Sequence, residues 1–302
     1  MPDSRRGLIF GATAYTLWGT FPLYWTLLEP GGAIEILAHR IVWSVLTMAV
    51  ILVLARRVRH VRALLRDRRR LLLIACAAVV ISVNWGGYIW GVNNGRVVET
   101  SLGYFINPLV TVLMGVLVLG ERLRRLQWVA MAIAFVAVVV LTLDYGRPPW
   151  VALLLAFSFG TYGLLKKQAG VGAVESITVE TMVIAPFAAS YLGWLVVAGQ
   201  SSFGTHGAGH AFLLTTTGII TAVPLMLFGA AAIRVSMVSL GLLQYLAPTI
   251  QFALGLLVFR EDMPASRWIG FGLVWVALAI FTVEAVNHRR RQLRLVAQAS
   301  AV

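Results

Sequence analysis

The sequence predicts an all-α integral membrane protein, with ten transmembrane helices arranged as two inverted five-helix repeats. Three observations lead there. The 302 residues are 59% hydrophobic and only 12% charged, against about 25% charged in soluble domains. A chain so poor in charge cannot cover a globule with polar surface. Its apolar residues fall in runs of roughly 20, the length a helix needs to cross the hydrocarbon core. Finally, short motifs recur at a spacing of 138 to 140 residues.

The runs define spans near 7–28, 34–54, 71–92, 99–120, 126–143, 149–166, 177–198, 211–232, 238–259 and 266–286. They are continuously apolar, not alternating, and twice the length of a barrel strand, which favours helices over a β-barrel. The first begins like a secretory signal, "MPDSRR" before "GLIFGATAYTLWGTFPLYWTLL". Its apolar part is too long, holds a proline and tryptophans, and lacks a small-residue cleavage site, so it reads as a retained span. The expected organisation is a first five-helix repeat over 7–143, a second over 149–286, and a short basic tail over 287–302.

The formal charge of +13 raises the question of nucleic acid, and its location answers it. The basic residues sit in short segments beside apolar runs, as in "RRVRHVRALLRDRRR" (56 to 70) and "NHRRRQLR" (287 to 294). That is the pattern of cytoplasmic loops, which also attract anionic lipid. With the N-terminus inside, inner segments hold 20 of the 25 lysines and arginines; outer loops hold Arg96, Arg147, Arg260 and Arg267. This bias predicts that both termini are cytoplasmic. Trp128, Trp150 and Trp268 fit the membrane interfaces. The single cysteine, Cys76, excludes an intramolecular disulfide and is expected to be a small buried hydrophobe.

The repeat is read from residues that apolar helices do not share by chance. Arg96, Ser101, Leu102 and Gly103 recur 138 residues later as Arg234, Ser239, Leu240 and Gly241. Pro108, Gly115, Glu121 and Trp128 recur at 140 as Pro248, Gly255, Glu261 and Trp268, and "GAIE" (32 to 35) recurs as "GAVE" (172 to 175). A unit of five spans is odd, so the two copies cross the membrane in opposite directions. Inverted halves that rock about a shared central site are a recurrent design of secondary transporters.

The motifs "PLYW" (22 to 25), "EILAHRIVWS" (35 to 44), "NWGGYIWGVNNGRVVETSLGYFINPLV" (84 to 110), "GERL" (120 to 123) and "SLGLLQYLAPT" (239 to 249) are similar to those of the RarD group of the EamA family, in the drug/metabolite transporter superfamily. The resemblance runs from about residue 7 to 286. It implies ten transmembrane helices in two EamA repeats and a permease in the plasma (inner) membrane, with export the favoured direction. It names no cargo.

Polar side chains inside apolar spans are costly unless they face protein or water, which makes them the candidates for a site. Tyr104, Pro108, Thr111 and Gly115 share one helix face, and at 140 residues' distance Gln244, Pro248, Gln251 and Gly255 repeat the stripe. Facing each other, the two stripes would line a central cavity; for the glycines, helix packing is the favoured reading. Pro22, Pro108 and Pro248 each remove a backbone donor, giving a kink or a freed carbonyl. Arg40 is the one arginine inside a span. It either binds substrate, or snorkels to the outer interface, or pairs with a structural carboxylate. His39 beside it is a proton carrier or a hydrogen-bonded structural histidine. Asn84 and Tyr88 share a face of the third span, and Tyr15 and Trp18 a face of the first. They either pack or line a cavity suited to a flat cargo. Glu180, one turn inside the seventh span, is the best carboxylate for proton coupling. Glu35 reads as a solvated helix N-terminus, and Glu99 as another, with Arg96 three residues earlier as its partner.

No phosphate-binding G-x-x-x-x-G-K-[ST] loop and no H-E-x-x-H motif occur, so neither ATP drive by this chain nor a metal or other cofactor is expected. His206 and His210 lie in a glycine-rich outer loop. The functional expectation is a secondary-active transporter of small organic metabolites or drugs, in a lipid bilayer, coupled to protons or to a counter-substrate. The alternative is a membrane-embedded enzyme or a non-transporting sensor. Oligomeric state is left open by the sequence.

Overall fold

The computed structural model describes residues 2–120, 123–232, 234–235 and 243–299. Those residues form eleven helices and, among them, no strand: α1 (Pro2–Thr26), α2 (Ala33–Leu54), α3 (Val58–Arg66), α4 (Arg68–Asn93), α5 (Val97–Leu119), α6 (Arg125–Tyr145), α7 (Trp150–Ala169), α8 (Ala173–Val197), α9 (Gly207–Ala232), α10 (Leu246–Leu257) and α11 (Ala265–Ala299). Seven of them, α2, α4, α5, α6, α8, α9 and α11, are long and apolar enough to cross a membrane, while α7 and α10 are shorter apolar helices. The expected span 238–259 is helical over Leu246–Leu257. Glu121, Ser239, Leu240 and Gly241, four of the repeat markers, lie outside the described residues.

The chain is a bundle whose apolar side chains point outward as well as inward. Leu54, Leu72, Phe135, Leu143, Phe187, Val197 and Leu257 are all largely exposed, as expected where lipid takes the place of water. One buried core joins α5, α6, α7, α10 and α11 through Leu102, Phe105, Leu141, Phe252 and Phe271. A second joins α1, α2, α4, α5, α7 and α9 through Trp25, Ile36, Tyr88, Leu155 and Leu214. Two glycines set how closely helices approach. A Cβ on Gly103 would stand 2.8 Å from the Ala152 carbonyl oxygen, and one on Gly218 would collide with the Trp43 carbonyl. So α5 meets α7, and α9 meets α2, backbone against backbone, as small residues permit in lipid.

The corners that open α2 and α8 have the same geometry. Gly32 (φ −63, ψ 155) and Gly172 (φ −61, ψ 152) are both extended N-caps. Their carbonyls accept from Ile36 N at 3.0 Å and Ser176 N at 2.9 Å. The glutamates three residues on differ in partner: Glu35 accepts from Ser202 N at 2.7 Å, whereas Glu175 pairs with Arg57 at 2.8 Å.

Three expectations are corrected. The basic segment 56–70 is not simply a loop, because Val58–Arg66 is a short helix with Val61 and Leu64 buried against α4 and α8. Its apolar residues recur at three-residue intervals, the signature of one buried face. Cys76 is exposed on the outer face of α4, where lipid suits a thiol as well as protein does. Glu35 is buried and holds the 198–206 loop through a backbone N–H, so it is not a solvated helix end.

Candidate substrate site

The centre of the candidate site is Arg40. It lies on α2, about two turns in from the helix start at Ala33, and is only 4% exposed. It neither snorkels nor finds a carboxylate: among the described residues it has no ion pair. Nε donates to Thr221 Oγ1 on α9 at 3.0 Å, the one hydrogen bond found for this side chain. The guanidinium carbon sits 3.9 Å from the Trp85 ring centroid and 5.1 Å from that of Trp25. Tyr24, Tyr88 and Tyr104 are its neighbours. An unpaired buried ion carries a penalty of several kcal/mol. Two aromatic faces return about 2 kcal/mol of that when desolvated.

The wall around it comes from both halves of the chain. Tyr88 on α4 meets Tyr104 on α5 edge to face at 5.6 Å, and Tyr104 meets Phe159 on α7 at 6.4 Å. Tyr24 on α1 donates to the Leu213 carbonyl of α9 at 2.6 Å. The Tyr88 hydroxyl and the Trp25 and Trp43 indole nitrogens are buried without a hydrogen-bond partner. The sequence pointed to Arg40, Tyr88 and Tyr104, which this cluster brings together. It did not single out Trp85, Tyr24 or Thr221. For the first two the signal was available in "NWGG" and "PLYW"; for Thr221 there was none.

The other candidates fall elsewhere. Tyr15 and Trp18 stack edge to face at 5.2 Å and both meet Phe228 of α9, at 6.0 and 5.8 Å. Asn84 donates to the Leu155 carbonyl at 2.9 Å and to Ser158 Oγ at 2.8 Å, tying α4 to α7. Gln251 donates through Nε2 to the Trp18 carbonyl at 3.1 Å, and its Oε1 is buried and unpartnered. That carbonyl is the one Pro22 leaves without its helical donor. Pro22 and Pro108 lie inside α1 and α5. Pro248 occupies the first turn of α10, where the missing N–H disturbs nothing. Thr111 is exposed, and Gln244 is half-buried in the turn before α10.

The two coupling candidates, His39 and Glu180, are both buried. His39 stacks on Phe203 at 5.1 Å and has both ring nitrogens unpartnered. Glu180 accepts from Lys166 Nζ at 2.7 Å, Ser176 Oγ at 2.6 Å and the Tyr162 hydroxyl at 3.1 Å.

The arginine-poor end of the bundle is fastened by charge. Glu99 is held by Arg147 at 2.8 Å and accepts from Val151 N at 3.1 Å, so it caps α7; Arg96 is only a distant partner at 4.0 Å. Glu261 accepts from Val97 N and, at 3.1 Å, from Val98 N, and so caps α5. Asp144 pairs with Arg267 at 3.0 Å. Burial pushes the Glu261 carboxyl up to about 7, against the pull of the two N–H donors and Arg267. A cavity of about 350 Å³ lies among Arg96, Arg147, Arg260, Glu261 and Asp262, and another of about 530 Å³ lies between Glu35, Tyr191, Gln200 and His206. His210 is engaged with the Leu28 carbonyl at 2.9 Å. Among the described residues no group of three potential metal ligands occurs.

Comparison with known proteins places this architecture. Residues 5–143 match the EamA-like transporter family. The chain is 58% identical to protein RarD of Streptomyces exfoliatus over 99% of its length and 96% of the relative's. It is 43% identical to the uncharacterized transporter YojE of Bacillus subtilis, over 95% and 97% of the two chains. It is 40% identical to protein RarD of Escherichia coli over 96% and 98%. A solved crystal structure with 18% identity superposes with a TM-score of 0.59 over 93% of this chain and 98% of its own, which shows a shared fold. A multi-pass helical membrane protein similar to these relatives along nearly its whole length, the chain belongs to the RarD group of the EamA-like transporter family.

Proposed function

We propose that the chain is a secondary-active transporter that moves small organic metabolites or drugs, in the direction of export, by alternating access between two inverted five-helix repeats spanning 7–143 and 149–286. One observation carries the reading. The buried arginine, with no counter-charge among the described residues, is held by Thr221 from the second half and walled by aromatics from the first. A site shared between halves changes its exposure when the halves rock, which is the requirement of alternating access. The matching corners at Gly32 and Gly172 support a duplicated unit. Twenty of 25 basic residues on one side support an inner-membrane orientation with both termini cytoplasmic.

In this reading Arg40, Tyr88 and Tyr104 bind substrate, Tyr15 and Trp18 line its path beside Phe228, and Asn84 and Gln251 hold the helices that form the site. Glu180 and His39 carry the coupling proton. Glu180 suits this because it is a buried carboxylate whose hydrogen-bond donors, Lys166, Ser176 and Tyr162, come from both α7 and α8.

The test is solute counterflow in sealed vesicles reconstituted with the purified chain. Vesicles preloaded with a mixed metabolite pool should accumulate labelled members of that pool faster than protein-free vesicles. No counterflow across a broad panel, from protein that elutes as a single folded species, would remove the transport reading. Chemical turnover of a solute without flux would favour a membrane-embedded enzyme.

A further inference from the structure

We propose that the cluster around Arg40 recognises a carboxylate attached to a flat, apolar ring. The inference deepens the transport reading and rests on it for its biological meaning, although binding itself can be measured without flux.

The charge argument comes first. The membrane-embedded carboxylates that could answer Arg40 are engaged elsewhere: Glu35 with Ser202 N, Glu99 with Arg147 and Val151 N, and Glu180 with Lys166. The guanidinium is nearly inaccessible, with Nε used on Thr221 and its two Nη nitrogens left without a hydrogen bond among the described residues. A buried cation without a partner persists where something else supplies the negative charge.

The polarity of the unmet groups points the same way. Around Arg40 they include the Trp25 indole N–H and the Tyr88 hydroxyl, beside Nη nitrogens with no hydrogen bond found among the described residues. Guanidinium and indole donate only, and the hydroxyl can donate. A cationic ligand would meet a like charge and no acceptor carboxylate. A carboxylate brings two acceptor oxygens, which match the two-pronged geometry of a guanidinium.

The walls decide what carries the carboxylate. Trp25 and Trp85 already cover faces of the guanidinium. Tyr88, Tyr104 and Phe159 continue the aromatic lining away from it, each ring edge-on to the next. Aromatic side chains favour a further flat ring as a neighbour, face offset or edge to face. A short hydrophilic anion would leave those faces unmatched.

The experiment uses the full chain in detergent and three probes of one shape: 3-phenylpropionate, 3-phenylpropionamide and 3-phenylpropylamine. Thermal unfolding should shift upward with the carboxylate, and at least tenfold higher concentrations of the amide or amine should be needed for the same shift. Arg40→Gln should weaken carboxylate binding at least tenfold, and Arg40→Lys less, because the charge stays but the fork is lost. Should Arg40→Gln fail to fold, Tyr88→Phe provides the second variant, with a loss of a few fold confined to the carboxylate. Equal binding of the amide or amine, no shift with any probe, or unchanged carboxylate affinity in a folded Arg40→Gln protein would overturn the proposal. Carboxylate binding without counterflow would remove the transport reading and leave this inference standing; counterflow of other solutes with no carboxylate preference would do the reverse.

Discussion

Gln251 Nε2 donates to the backbone carbonyl of Trp18 at 3.1 Å, and Trp18 is the residue four before Pro22. A helix carbonyl four residues ahead of a proline has no N–H to receive. In lipid an unmet carbonyl is costly, so a glutamine from α10 supplies the missing donor and joins α1 to α10 at the same time.

This pairing predicts a coupled loss of stability. Gln251→Leu should destabilise the chain by about 1 kcal/mol, the net worth of one buried hydrogen bond. In a Pro22→Ala background the alanine N–H can serve the Trp18 carbonyl, so the same Gln251→Leu change should cost roughly half as much. Unfolding of the four proteins in mild detergent closes the cycle. Equal losses in both backgrounds would mean that the glutamine does not compensate for the proline.

Gln251 also shows what the sequence could and could not say. Its position in a polar stripe was visible from spacing, and so was its cost in lipid. Its partner was not, because Trp18 lies 233 residues away and offers a main-chain oxygen that no pattern marks. Glu99 makes the same point. Arg96 stood at a visible three-residue spacing, yet Arg147, brought close by the turn into α7, holds it more tightly. The apolar runs made the all-helical membrane fold legible, and Arg40 stood out as the one arginine within a span. What packing alone decides was hidden: Thr221 beside Arg40, the burial of Glu35, and the apolar face of α3 among its arginines.

Backbone-close helix crossings predict intolerance of bulk. Gly103→Val would drive a side chain into the Ala152 carbonyl, and Gly218→Val into that of Trp43. Each should destabilise by about 1–3 kcal/mol, the range for overpacking. Gly209→Val is the control, since nothing lies near a Cβ there. Thermal unfolding that ranks Gly209→Val with the other two would contradict the packing described for α5 with α7 and α9 with α2.

The Glu261 carboxyl gives a pH dependence of definite sign. Its native value, pushed up to about 7 by burial, lies above that of an unfolded glutamate, about 4.3. Between those two values the native state holds a proton that the unfolded chain does not. The stabilisation from this group is therefore complete below about pH 4 and lost as pH rises through about 7. The difference in unfolding temperature between wild type and Glu261→Gln should thus shift against wild type from pH 5 to pH 8. A difference that moves the other way would mean that the N–H donors of Val97 and Val98, not burial, dominate this carboxyl.

Glu180 provides the sharpest separation of structure from coupling. Its carboxylate meets Lys166, Ser176 and Tyr162, so Glu180→Gln alone leaves a partly buried ammonium without its partner. That change should destabilise by about 3 kcal/mol or more. Glu180→Gln combined with Lys166→Met removes both charges and should recover most of the loss, since a neutral pair leaves no unpaired ion. If Glu180 carries the coupling proton, the double variant should still perform counterflow, because exchange needs no net proton movement. It should no longer accumulate solute in response to an imposed pH gradient. Undiminished gradient-driven accumulation in the double variant would assign Glu180 to the architecture of α7 and α8 alone and leave His39, whose ring nitrogens are both unpartnered, as the remaining proton carrier.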